Sequence, residues 1–113
     1  MKLSDRVANG VAVLEPSGKI MGGSDSTILH EKLHEHIENG VKNVVIDLSK
    51  VDWVNSTGLG ILIAGLSTMK NNGGRLKLAN VTEKIKSLLT ITKLVTVFES
   101  HETVEEAIAA FDS

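Results

Sequence analysis

From Val44 to Leu48 the chain reads Val-Val-Ile-Asp-Leu, apolar on both parities of a strand apart from Asp47. Such a strand cannot lie on a half-wet sheet: it needs cover on both faces, the situation of an interior strand in a parallel sheet. Parallel neighbours require crossover connections, usually helices. The flanking sequence supplies them. Upstream, Leu29, Leu33 and Ile37 recur every four residues before Asn39-Gly40 stops the helix. Gly22-Gly23-Ser24-Asp25 is a loop expected to supply the helix caps. Downstream, a second helix is expected from about Thr57 to Asn71, with Leu59, Leu62, Ile63, Leu66 and Met69 as its inner stripe.

The remaining elements follow by the same rules. Val7 and then Val11, Val13 and Leu14 form two strands joined by a tight turn at Asn9-Gly10. Pro16 and Gly18 end the second strand or mark a bulge in it. After Asn72-Gly73-Gly74, Arg75 to Ala79 alternates as a strand. Thr82 caps a short helix carrying Ile85, Leu88 and Leu89, and Val95 to Phe98 is expected as the last strand. Thr103 and Glu106 make a capping-box pair before Val104, Ala107, Ile108 and Phe111. The expected order is β-β-α-β-α-β-α-β-α. That is an α/β fold in one domain over residues 1–113, with a mixed, mostly parallel sheet, an N-terminal β-hairpin and four helices.

Composition narrows the function. The 113 residues hold no cysteine, which removes disulfides, thiolate zinc sites and cysteine nucleophiles. A net charge of −2 and three aromatic residues argue against a nucleic-acid interface. The longest apolar stretch, Leu59 to Leu66, is too short to span a bilayer, and the N-terminus has no apolar secretory segment. A cytoplasmic protein without membrane partners is expected.

Several patterns compete for the site. His30-Glu31-Lys32-Leu33-His34 matches the spacing of a zinc-protease helix but lacks a third ligand. Gly58-Leu59-Gly60 opens like a dinucleotide fingerprint, yet Ile63 stands where the third glycine belongs. Asp47, Asp52 and Ser56 have no histidine near them in sequence for nucleophilic chemistry. Gly58, Gly65, Ser67 and Thr68 edge the second helix with small residues, suiting either packing within the fold or a partner. The most informative segment is Asn55-Ser56-Thr57-Gly58-Leu59-Gly60, which sets one serine at a helix entrance. A helix start offers free N–H groups and a positive dipole end. Ser56 there can cap the helix, bind an anion or accept a phosphoryl group.

Val45 to Val51, Val-Ile-Asp-Leu-Ser-Lys-Val, followed by Asn-Ser-Thr-Gly-Leu-Gly, resembles the STAS-domain family, and within it the stand-alone bacterial anti-sigma factor antagonists. The similarity runs through the hairpin, the Gly18-Lys19-Ile20 turn, the loop, the helix and the acidic terminal helix. The resemblance implies a binding protein rather than an enzyme, with no catalytic residues, cofactor or metal. It implies that Ser56 is phosphorylated, with Thr57 a secondary acceptor, by an anti-sigma factor that is a serine kinase of the histidine-kinase-like ATPase fold. A metal-dependent serine phosphatase would reverse the modification. Asp52, Trp53, Asn55, Ser56, Thr57, Gly58, Leu59 and Gly60 would form the docking surface. Two positions depart from the family pattern: Asn55 replaces the usual aspartate before the acceptor, and Met21 ends the early Gly-x-x-Asp signature. They leave a second implied role, an interaction subunit of another assembly such as a lipid-transport ATPase or a signalling complex, without a phospho-switch.

Overall fold

The computed structural model describes residues 1–112. The chain runs β1 (Lys2–Ala8), β2 (Val11–Ile20), α1 (Ser24–Glu38), β3 (Asn43–Asp47), β4 (Val51–Val54), α2 (Ser56–Asn71), β5 (Arg75–Ala79), α3 (Glu83–Ile91), β6 (Glu99–His101) and α4 (Val104–Ala110). The six strands form a mixed sheet in the order β1-β2-β3-β5-β6, with β4 joined to β2. Among the described residues, only β1 and β2 are antiparallel. Their two-residue turn has Asn9 and Gly10 at φ +52° and +76°, the left-handed pair that a type I′ hairpin needs.

Alternation along the central strands divides the interior. Ala12, Leu14, Val44, Ile46, Leu76 and Leu78 face the larger core, where they meet Leu29 and Leu33 of α1, Leu62 and Met69 of α2, and Ile85 and Leu89 of α3. Val11, Val13, Val45 and Ala79 face the other side and meet Val104 and Ala107 of α4 and Phe111 at its C-cap. The two-sided apolarity of Val44–Leu48 thus has its cover, three helices on one face and one on the other. Close approach of α1 and α2 depends on Gly65: a Cβ there would lie 3.3 Å from Leu33 Cδ1 and 3.7 Å from Leu29 Cδ2. This small residue serves packing inside the fold.

Three expectations need correction, and one open alternative is decided. β4 is an additional strand, between β3 and α2, where a loop was expected to run into the helix. β2 continues through Pro16 and Gly18 to Ile20, with a register shift between Gly18 and Lys19, so the bulge is the correct alternative. The last strand is Glu99–His101 and not Val95–Phe98, because parallel pairing with β5 sets Glu99 opposite Lys77 and His101 opposite Ala79. Finally, the Gly22–Asp25 loop supplies no side-chain cap to α1: its N-cap is Gly23, and Asp25 accepts a hydrogen bond from the Met21 amide instead.

Candidate functional site at the entrance of α2

The C-terminal half of β2 and the short β4 form a two-stranded parallel ribbon. Ile20 lies opposite Val54 and Lys19 opposite Trp53. Ile20 and Val54 turn inward and are buried, so Lys19 and Trp53 take the outward side. Asn55 prolongs the ribbon, its amide donating to Ile20 O at 3.4 Å. The chain then turns directly into α2.

Asn55 caps that helix. Its Oδ1 accepts from the Gly58 amide at 2.7 Å, and its Nδ2 donates to Met21 O at 3.2 Å. One side chain therefore satisfies a free helix amide and ties the β2–α1 loop to the helix entrance. α2 starts one residue earlier than expected, at Ser56. Ser56 is exposed, and among the described residues its hydroxyl makes no hydrogen bond. Thr57, also exposed, is the second helical residue and has its methyl group turned towards Gly22.

The expected docking residues separate into surface and support. Asp52, Trp53, Ser56, Thr57 and Gly60 are exposed and Asn55 is half-buried. Gly58 and Leu59 are buried, so they cannot contribute surface. Leu59 belongs to the larger core. Gly58 lies so close to β2 that a Cβ would fall 1.9 Å from Ile20 O. Its glycine permits backbone contact with the ribbon and has no part in a dinucleotide loop. Met21, absent from the expected surface, stands beside it and is exposed; the signal was its position two residues beyond Lys19 on the same strand parity.

The other candidates have structural partners. Asp47 is buried, and its Oδ1 accepts from the Ser49 amide and from Asn80 Nδ2, both at 3.0 Å. Burial alone would raise its pKa, but these hydrogen bonds outweigh it and hold the carboxyl below the usual aspartate value. Asp25 is also held low, chiefly by the Met21 amide. His30 Nε2 lies 3.1 Å from Thr68 Oγ1, joining α1 to α2. Among the described residues, no group of three or more histidine, aspartate or glutamate side chains is placed to hold a metal ion.

A helix entrance with its cap supplied by one residue and a free hydroxyl on the next is now set on a β-ribbon that ends a parallel sheet. The family model for the STAS domain matches residues 2–107. The chain belongs to the STAS domain family. Among STAS relatives, the anti-sigma-B factor antagonist of Bacillus subtilis is 36% identical over 72 residues, covering 64% of this chain and 65% of that protein. A Thermotoga maritima protein named as a candidate anti-sigma factor antagonist is 24% identical over 105 residues, 91% of each chain. Among solved structures, an anti-sigma factor antagonist from Mycobacterium paratuberculosis superposes with a TM-score of 0.82 at 23% identity, covering 99% of this chain and 94% of that one. The Bacillus cell fate determinant SpoIIAA in its phosphorylated form superposes with a TM-score of 0.72 at 17% identity, over 97% and 99%. At these identities the structural matches speak for the STAS fold. Among the described residues, no helix is long and apolar enough to cross a membrane.

Proposed function

We propose that this STAS protein is an anti-sigma factor antagonist whose grip on its partner is switched by phosphorylation of Ser56. One observation carries the reading: Asn55 caps α2, which leaves the exposed Ser56 hydroxyl without a structural duty. The names of the relatives at up to 36% identity support the general role. The partner is an anti-sigma factor that is itself an ATP-dependent serine kinase of the histidine-kinase-like ATPase fold, and a metal-dependent phosphatase resets the switch. The protein works by binding and carries out no catalysis of its own. Its docking surface is Asp52, Trp53, Asn55, Ser56, Thr57 and Gly60, with Gly58 and Leu59 supporting it from beneath.

Phosphoserine brings nearly two negative charges and a strongly hydrated group. Beside the free amides of a helix start it is tolerated in the isolated protein, so the fold persists. At an interface the same group must shed water or collide with the partner. A penalty of about 3 kcal/mol weakens binding roughly a hundredfold.

The test pairs Ser56→Ala and Ser56→Asp against the purified serine-kinase anti-sigma factors of the source organism. With ATP, the cognate kinase should label the wild type and not Ser56→Ala. Ser56→Asp should unfold like the wild type yet lose about a hundredfold in affinity. Equal affinity of all three for the kinase rejects the switch. The neutral Asn55 and Met21 favour a second reading, a constitutive STAS subunit of a transport ATPase or signalling assembly. In that case no kinase labels the chain, and Ser56→Asp retains every partner.

A further inference from the structure

Two large apolar side chains stand in solvent beside Ser56. Trp53 is 45% exposed and Met21 44% exposed, whereas Ile20 and Val54 next to them are buried. Lys19, opposite Trp53, lies on the outward side of the β2–β4 ribbon, and Met21 follows just past the end of β2, tied to Asn55 by a hydrogen bond. The backbone that carries Met21 is held from both sides. Its carbonyl accepts from Asn55 Nδ2 at 3.2 Å, and its amide donates to Asp25 Oδ2 at 3.0 Å. An ordered ribbon presenting a tryptophan and a methionine loses little further freedom when it is covered, which favours association. These residue types are also enriched where interfaces bury their centres.

The charges around the patch are few and balanced. Asn55 is neutral, and the Asp25 carboxylate is buried, accepting from the Met21 amide and paired with the Met1 ammonium at 3.3 Å. Lys19 and Asp52 are the exposed charges on the ribbon, one of each sign. Asp52 is the one exposed carboxylate on the ribbon, too little to draw an arginine or lysine cluster.

We infer that Met21 and Trp53 are the apolar anchor of the partner-binding face, and that they fit an uncharged apolar recess on the anti-sigma kinase. The inference rests on the proposed role of Ser56 and names the chemistry of its partner. It also gives the switch its physical form. A phosphate on Ser56 would be pressed against an apolar wall of the partner that carries no cation to receive it, so desolvation opposes binding.

The experiment is calorimetric titration of the purified serine-kinase anti-sigma factors of the source organism, one by one, into wild type, Ser56→Asp, Trp53→Ala and Met21→Asp. Trp53→Ala should weaken binding by about thirtyfold or more, and Met21→Asp by about tenfold. Wild-type affinity should change less than about threefold between roughly 50 and 500 mM salt, since burial of apolar surface is not screened. Because the Met21 side chain stands in solvent, Met21→Asp carries the test should Trp53→Ala fail to fold. If Met21→Asp stays within about twofold of wild type while Ser56→Asp loses binding, the anchor is overturned and the switch stands. A tenfold or greater loss over the same salt range overturns it as well. A kinase that binds Ser56→Asp as tightly as wild type removes the switch itself, and binding by no kinase removes both.

Discussion

Gly58 and Gly60 lie two positions apart in the first turns of α2 and answer to opposite constraints. A Cβ on Gly58 would fall 1.9 Å from Ile20 O, whereas one on Gly60 meets nothing within 4 Å. Gly58→Ala must therefore push α2 off the ribbon, and we expect a loss of about 3 kcal/mol or more. Gly60→Ala removes backbone entropy from an exposed helical site and should gain about 0.5–1 kcal/mol. Urea denaturation of the two variants decides the matter, and equal effects would refute it. The cap divides similarly. Asn55→Ala should cost about 1 kcal/mol, while Asn55→Asp keeps the acceptor for the Gly58 amide and should cost much less. By sequence Ser56 is a candidate cap at this entrance, but Asn55, an equally eligible type, takes the role. Which of them does so depends on the extended backbone of Asn55, at φ −96° and ψ −176°, and so on β4 ahead of it.

Among the elements, β5 holds β6 through an ion pair and the end of α4 through cation–π contacts. Lys77 is 4% exposed on β5, pairs with Glu99 of β6, and lies with its ammonium 5.0 Å from the Phe111 ring centroid. Arg75 stands 5.0 Å from the same centroid and donates to Phe111 O at 2.7 Å. The partners of the pair are unequal, because Glu99 is 69% exposed and can rehydrate when left alone. Glu99→Ala strands a buried ammonium and should cost about 2 kcal/mol or more. Lys77→Met removes the buried charge, keeps contact with Phe111, and should stay within about 1 kcal/mol of wild type. If thermal melts rank the two the other way, the asymmetry is wrong. The same pair explains the misplaced strand. Val95 and Val97 look like strand residues by type but are exposed in turns, while polar Glu99-Ser100-His101 forms the strand because β5 offers it a register.

At the scale of the whole molecule, hydrogen bonds and an ion pair depress the pKa values of three carboxyls among the described residues. The Met21 amide lowers Asp25. Ser49 and Asn80 hydrogen bonds lower Asp47 against its burial, and Lys77 lowers Glu99. A carboxyl whose folded pKa lies below its unfolded value adds stability above the unfolded pKa and loses it as pH falls through the folded one. Stability should accordingly decline on acidification below about pH 4. Asp47→Asn should be markedly less stable than wild type near neutral pH, with the gap closing as pH falls below about 4. Urea midpoints of both proteins across that range test this, and a gap independent of pH would sink it.

Taken alone, the sequence determined several features that depend on local period or on one residue's backbone freedom. The two-sided apolarity of Val44–Leu48, the four-residue spacing of Leu29, Leu33 and Ile37, the Asn9-Gly10 turn and the Thr82 and Thr103 caps all carry their cause within a few residues. Tertiary structure decided what depends on a distant partner. The Ile20 backbone and the Val54 side chain require Gly58 to be glycine, and pairing with β2 makes a strand of Val51–Val54. Those same contacts bury Leu59, stand Met21 and Trp53 outward, and leave the Ser56 hydroxyl free beside them, because side-chain direction follows pairing register and register is a property of two strands at once.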